Sequence, residues 1–174
     1  GYYNHKAFSV YSGQYDNKNY IWAGTADGVN RGIVDNDGCI DWVHFTTANG
    51  LSGDWVIDIV PQDIGRDIPR IWLISWNIPA PPSAHGLSYS DDNGETWNKV
   101  YQFAEEYIDI NGNGIYDLED EFTDDNGNDI YDGALVYNLY FNDGGEILYA
   151  ATNRGLFYTN IVDYNISEWS KVEI

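Results

Sequence analysis

An all-β chain of three four-stranded meanders is what the sequence predicts, on three observations. An apolar-turn-apolar pattern recurs, strand-length runs of Ile, Val, Trp and Tyr are bounded by Gly or Asn-Asp, and no helical periodicity is sustained. The recurring stretches are NYIWAGTADGVNR (19–31), RIWLISW followed by HGLSYS (70–90) and EILYAATNRGLFYT (146–159), which align Trp22, Trp72 and Tyr149. The first spacing is 50 residues. The second is 77, and it falls to about 50 once an acidic stretch is set aside as an insertion.

In chain order, the first meander is expected to place strands near 7–15, 20–25, 28–34 and 41–47. The second reads WVIDIVPQ, RIWLISW, GLSYS and TWNKVYQF; the third reads LVYNLYF, EILYAAT, GLFYTNI and EWSKVEI. A period near fifty is that of propeller blades, whose sheets pack face to face around an axis and so protect their edges. A β-sandwich also buries Trp and Tyr but has no reason to repeat. The blades are set at about 5–48, 54–104 and 134–174, with 105–133 as an insertion between the second and third. Three blades do not close a ring of the usual four to eight, so the rest of a longer chain or further copies are expected to complete it.

Two motifs carry a family resemblance. SYSDDNGETW, with Ser90, Asp92, Gly94, Thr96 and Trp97 in place, resembles the Asp-box of sialidase-like and sortilin-like propellers. GLSGDWVIDIV, IWAGTADGVNR and LYAATNRGLFYT are similar to the repeats of propeller sensors in two-component systems. DNDGCIDW (35–42) and VDYNISEW (162–169) look like degenerate boxes that keep the Trp. The resemblance implies a structural turn remote from any active site, in which Asp92 bonds N–H groups of its own turn.

The chain has 174 residues, 43% of them hydrophobic, enough for a sizeable core. Its 28 acids against 8 bases give a net charge of -20, which excludes nucleic acid and anionic membrane surfaces as partners. No apolar run reaches membrane-spanning length. Cys39 is the only cysteine and cannot form an internal disulfide; with no Met and a Gly at position 1, the start is expected to be processed or trimmed.

Eleven of the acids lie between Glu105 and Asp132, and their spacing is that of a calcium loop. The 12-residue loop supplies oxygens at positions 1, 3, 5, 7, 9 and 12 with Gly at 6. Asp109, Asn111, Asn113, the Ile115 carbonyl, Asp117 and Asp120 fill those positions, with Gly114 at the sixth. A second copy, Asp124, Asn126, Asn128, Ile130 and Asp132, has Asp129 at the sixth position and Leu135 at the twelfth. With Asp rather than Glu at position 12, the first loop is similar to dockerin and thrombospondin type 3 loops. One Ca²⁺ is expected in the first copy; a second ion in the other copy would need its last ligand from elsewhere or from water. Neutral Asn ligands imply modest affinity of about 10⁻⁴ to 10⁻³ M, which suits a secreted or cell-surface location.

The calcium insertion and the Pro-rich loop NIPAPPSAH (77–85) are expected to share one end of the blades, where Trp76, His85 and Tyr107 would meet a glycan or protein ligand. Catalysis has less support. Only four arginines exist, and Arg31 and Arg154 are read as equivalent repeat positions rather than members of a sialidase triad. The alternative to a recognition or structural module is a fragment of a propeller glycoside hydrolase using two carboxylates drawn from Asp27, Asp54 and Asp58.

Overall fold

A computed structural model describes residues 4–76, 86–100, 107–112, 119–123 and 135–173. It is all-β, with fifteen strands and a single 3-10 turn at Thr47–Asn49 among the described residues. The chain forms two compact units, Gly1–Trp76 with Leu87–Lys99, and Asn77–Gly86 with Val100–Ile174.

In the first unit, β1 (Ala7–Tyr15), β2 (Lys18–Thr25), β3 (Gly28–Val34) and β4 (Ile40–Phe45) form one sheet in sequence order. Asp16 and Asn17 take positive φ in the β1–β2 turn, the geometry a two-residue hairpin demands. β5 (Trp55–Gln62), β6 (Arg70–Trp76), β7 (Gly86–Ser90) and β8 (Asn98–Val100) form a second sheet, also in sequence order. Alternation along β2 drives Tyr20 and Trp22 into a core shared with Val56, Ile59, Ile71 and Leu73 of the second sheet. The sheets approach closely: a Cβ on Gly24 would strike the Val56 carbonyl.

The second unit holds a short antiparallel pair, β9 (Tyr107–Ile108) with β10 (Glu121–Phe122). Its main sheet comprises β11 (Val136–Phe141), β12 (Ile147–Thr152), β13 (Gly155–Val162), β14 (Asn165–Ile166) and β15 (Ser170–Lys171). This sheet departs from the expected four strands. β13 continues into a tight turn at Asp163 and Tyr164, both at positive φ, and pairs first with β14 and then with β15. The VDYNISEW segment is therefore a two-residue hairpin, because two consecutive left-handed residues reverse the chain before a longer box turn can form.

The repeat is visible in backbone detail. The register of the first strand against the second shifts between Ala7 and Ser9, between Val56 and Asp58, and between Val136 and Asn138. Opposite these shifts stand Gly24 and Thr25, Ile74 and Ser75, and Ala151 and Thr152, which are two and three residues past Trp22, Trp72 and Tyr149. The β2–β3 and β12–β13 turns also coincide. Thr25 donates to the Gly28 carbonyl at 2.9 Å and accepts from the Asp27 N–H at 3.1 Å. Thr152 donates to the Gly155 carbonyl at 2.9 Å and accepts from the Arg154 N–H at 3.0 Å.

That register corrects the reading of the arginines. Arg31 pairs with Trp22 on β3, and the residue that pairs with Tyr149 is Tyr158. Arg154 lies in the β12–β13 turn, at the place Asp27 holds in the β2–β3 turn.

Candidate functional site

The acidic segment starts from the β9–β10 pair. Ile108 pairs with Glu121, so the chain leaves and returns at neighbouring points and the first and twelfth loop residues meet. Asp120 accepts from the Ile110 N–H at 2.9 Å, and Asp109 accepts from the Gly112 N–H at 2.6 Å. Gly112 is at φ 72, which suits a tight turn. Asp120 is only 8% exposed, a costly place for a carboxylate without compensating charge or hydrogen bonds. Asp109, Asn111 and Asp120 offer oxygen donors, the hard ligand type that calcium takes. Asn113, Ile115, Asp117 and the whole second copy (Asp124, Asn126, Asn128, Ile130, Asp132) lie outside the described residues. Among the described residues, no three His, Cys, Asp or Glu side chains converge on a point.

The turn between β7 and β8 is built by its own side chains. Ser90 donates to Asp92 at 2.8 Å and accepts from the N–H groups of Asp92 at 3.3 Å and Gly94 at 2.7 Å. Asp92 accepts from the Thr96 N–H at 2.9 Å and the Thr96 hydroxyl at 2.6 Å. Burial alone would raise the Asp92 pKa, but these bonds, with one from the Glu95 N–H, outweigh it and hold the carboxyl below its ordinary value. Trp97 packs edge-on against Trp22 at 6.2 Å and Phe45 at 6.0 Å, and Arg31 donates to the Asn93 carbonyl. The segment therefore fastens the two sheets of the first unit together. In the β3–β4 turn, Asp35 takes the place of Ser90: it accepts from the N–H groups two and four residues on, Asp37 at 2.9 Å and Cys39 at 2.8 Å.

A groove of about 780 Å³ opens between the β1–β2 turn and the loop joining β5 to β6. Tyr11, Tyr15 and Gln14 line it from one side, and Asp63, Arg66 and Asp67 from the other. Tyr15 stacks on Tyr20 at 4.1 Å and accepts from the Trp22 indole N–H at 2.8 Å. Burial pushes the Tyr15 hydroxyl well above its ordinary pKa and raises Tyr11 as well. The sequence reading missed this groove. Its only advance sign was Tyr11 and Tyr15 at even spacing on one strand face, and nothing in the sequence alone brings residues 63–67 opposite them.

Of the expected ligand residues, Trp76 ends β6 and pairs across the sheet with Trp55. Tyr107 begins β9 opposite Phe122, and His85 lies outside the described residues. Of the three carboxylates weighed for catalysis, those of Asp54 and Asp58 hold main-chain N–H groups, whereas Asp27 is placed here through its main chain. Asp54 accepts from the Thr47 N–H at 2.9 Å, Asp58 accepts from the Ile59 N–H at 2.8 Å beside its strand's register shift, and the Asp27 carbonyl bonds the His44 ring.

Comparison with known proteins found no matching family model, no matching curated protein and no matching solved structure.

Proposed function

We infer that this chain is a calcium-stabilised portion of a β-propeller that acts outside the cell as a recognition or structural module. One observation carries the reading: three successive meanders share the same register shift at the same place, which is what blades of one ring share. The hydrogen-bonded Ser90–Trp97 turn fits its resemblance to an Asp-box, a structural element. Two of the carboxylates proposed for glycoside hydrolysis, Asp54 and Asp58, already bond main-chain N–H groups, which favours the module over the hydrolase.

In this reading Ca²⁺ supplies positive charge between Asp109 and Asp120 and joins the two ends of the acidic loop. The groove beside Tyr11 and Arg66 is where a ligand would lie. Three carboxylates, Asp16, Asp63 and Asp67, surround the one arginine there, so neutral or cationic glycan and protein groups suit it better than anionic ones.

Calorimetric titration of Ca²⁺ into the metal-stripped chain tests the reading. Saturable heat at submillimolar to millimolar calcium is expected, abolished in a variant carrying both Asp109→Asn and Asp120→Asn. A featureless titration of the unaltered chain would remove calcium from the account.

A further inference from the structure

We propose that copies of this chain associate head to tail, the β11–β13 face of one copy docking on the β1–β4 face of the next. The inference rests on the propeller reading and concerns one exposed face on each unit.

The first unit shows how one sheet receives another. The first sheet presents the row Tyr11–Trp22–Arg31, and the second sheet receives it on Val56, Ile59, Ile71 and Leu73. The shared register shift carries both surfaces onto the other sheets by position. Tyr11, Trp22 and Arg31 correspond to Tyr140, Tyr149 and Tyr158, which pair in one row across β11, β12 and β13. Ile59, Ile71 and Leu73 correspond to Val10, Ile21 and Ala23 on the first sheet.

Both corresponding surfaces are open. Tyr140 is 58% exposed, and its ring lies 6.5 Å from Tyr149, which lies 6.3 Å from Tyr158. On the first sheet, Val10 is 72% and Trp42 48% exposed, with Ile40 beside them. The equivalents of the receiving surface on the third sheet, Leu139, Leu148 and Ala150, are buried. One chain therefore carries an unmatched donor face and an unmatched receiver face of the same interface.

A second copy is the occupant that carries the matching half for each face, and charge does not oppose it there. With a net charge of -20, two copies repel almost anywhere they touch. Yet the four-strand row Ser12–Ile21–Gly32–Trp42 and the next rows on the same face, Val10–Ala23–Asn30–His44 and Gln14–Asn19–Val34–Ile40, hold no Asp, Glu, Lys or Arg. The tyrosine row and its neighbours, Asn138–Ala151–Leu156 and Ile147–Asn160, hold none either. The two faces are places where copies can meet without stacking carboxylate on carboxylate. Because they differ, the contact is heterologous, closing into a ring if the rotation allows it.

Sedimentation of the chain over a wide concentration range tests this. The expected mass rises above the 19.7 kDa of one chain. Val10→Glu blocks the receiver and Tyr140→Glu the donor, and each alone should weaken association at least about tenfold by burying an unpaired charge. Both positions are more than half exposed, so the far-ultraviolet spectrum and melting temperature of each variant should match the parent. A mixture of the two variants keeps one intact interface and should give a species of twice 19.7 kDa that neither forms alone. A parent chain that stays monomeric throughout, or a mixture with no such species, overturns the proposal. Either result leaves the calcium titration to judge the module by itself.

Discussion

At the scale of single residues, two side chains have measurable consequences. Tyr15 is the acceptor for the Trp22 indole and stacks on Tyr20, and its burial favours the neutral phenol. Its folded pKa is raised, so the associated stability is complete below the unfolded value near 10 and is lost as pH climbs toward the higher folded value. Tyr15→Phe removes that alkaline loss. It also leaves the fully buried Trp22 N–H without this acceptor, which should cost about 1–3 kcal/mol at neutral pH. Urea unfolding at pH 8 and pH 11 checks both effects, the gap between parent and variant narrowing at the higher pH. Asp92 has the opposite sign. Its folded pKa is lowered, so its stabilisation is present above about 4 and disappears as pH falls through the folded value. Asp92→Asn turns an acceptor toward the Thr96 hydroxyl into a donor and should cost about 1–2 kcal/mol at pH 7. At pH 2 the cost should vanish, since the parent carboxyl is then neutral too; a penalty that persisted unchanged would mean that shape, not charge, holds the turn.

At the scale of elements, the turns decide how the sheets are joined. Gly94 sits at φ 90, and a Cβ there would lie 2.9 Å from Phe45 and 3.3 Å from Trp22. Gly94→Ala meets an unfavourable backbone and an already filled core, so a loss of about 2–4 kcal/mol is expected, read as a lower urea midpoint with the slope unchanged. Gly38, also at positive φ but with open space around it, should lose only the backbone share on the same substitution. Much of this layer was legible in advance. The strands of the first meander were placed within a few residues, because alternation and Asn or Gly turns are local signals. The register shifts were not, since Phe8, Ile57 and Tyr137 continue the apolar pattern and only the partner strand reveals the extra residue. The fourth strand of the third meander was overread for a related reason. EWSKVEI has strand composition, but the tight turn at Asp163–Tyr164 uses part of the pairing edge of β13 before that segment arrives. Of the site, the loop ends Asp109 and Asp120 follow from spacing, whereas the groove required knowing which loops face each other.

At the scale of the whole molecule, 28 acids against 8 bases make repulsion a standing cost, concentrated between Glu105 and Asp132. Any salt relieves part of it by screening, so melting temperature should climb with NaCl. Calcium is expected to do more than screen. At equal ionic strength CaCl₂ should exceed NaCl by the linkage term, about 1.4 kcal/mol when the free ion stands tenfold above its dissociation constant. MgCl₂ should fall closer to NaCl, because the smaller ion demands octahedral geometry and gives up its water reluctantly. The excess should also be local. Asp120→Asn should abolish the calcium increment while leaving the NaCl slope nearly intact, since one charge of so many changes the general field little. Proteolysis should agree, with cleavage near Asp109–Asp120 slowed by calcium in the parent and unaffected by it in the variant. If the three salts superimpose when plotted against ionic strength, the acidic segment is relieved by screening alone, and the spacing of its Asp and Asn residues has no metal to explain it.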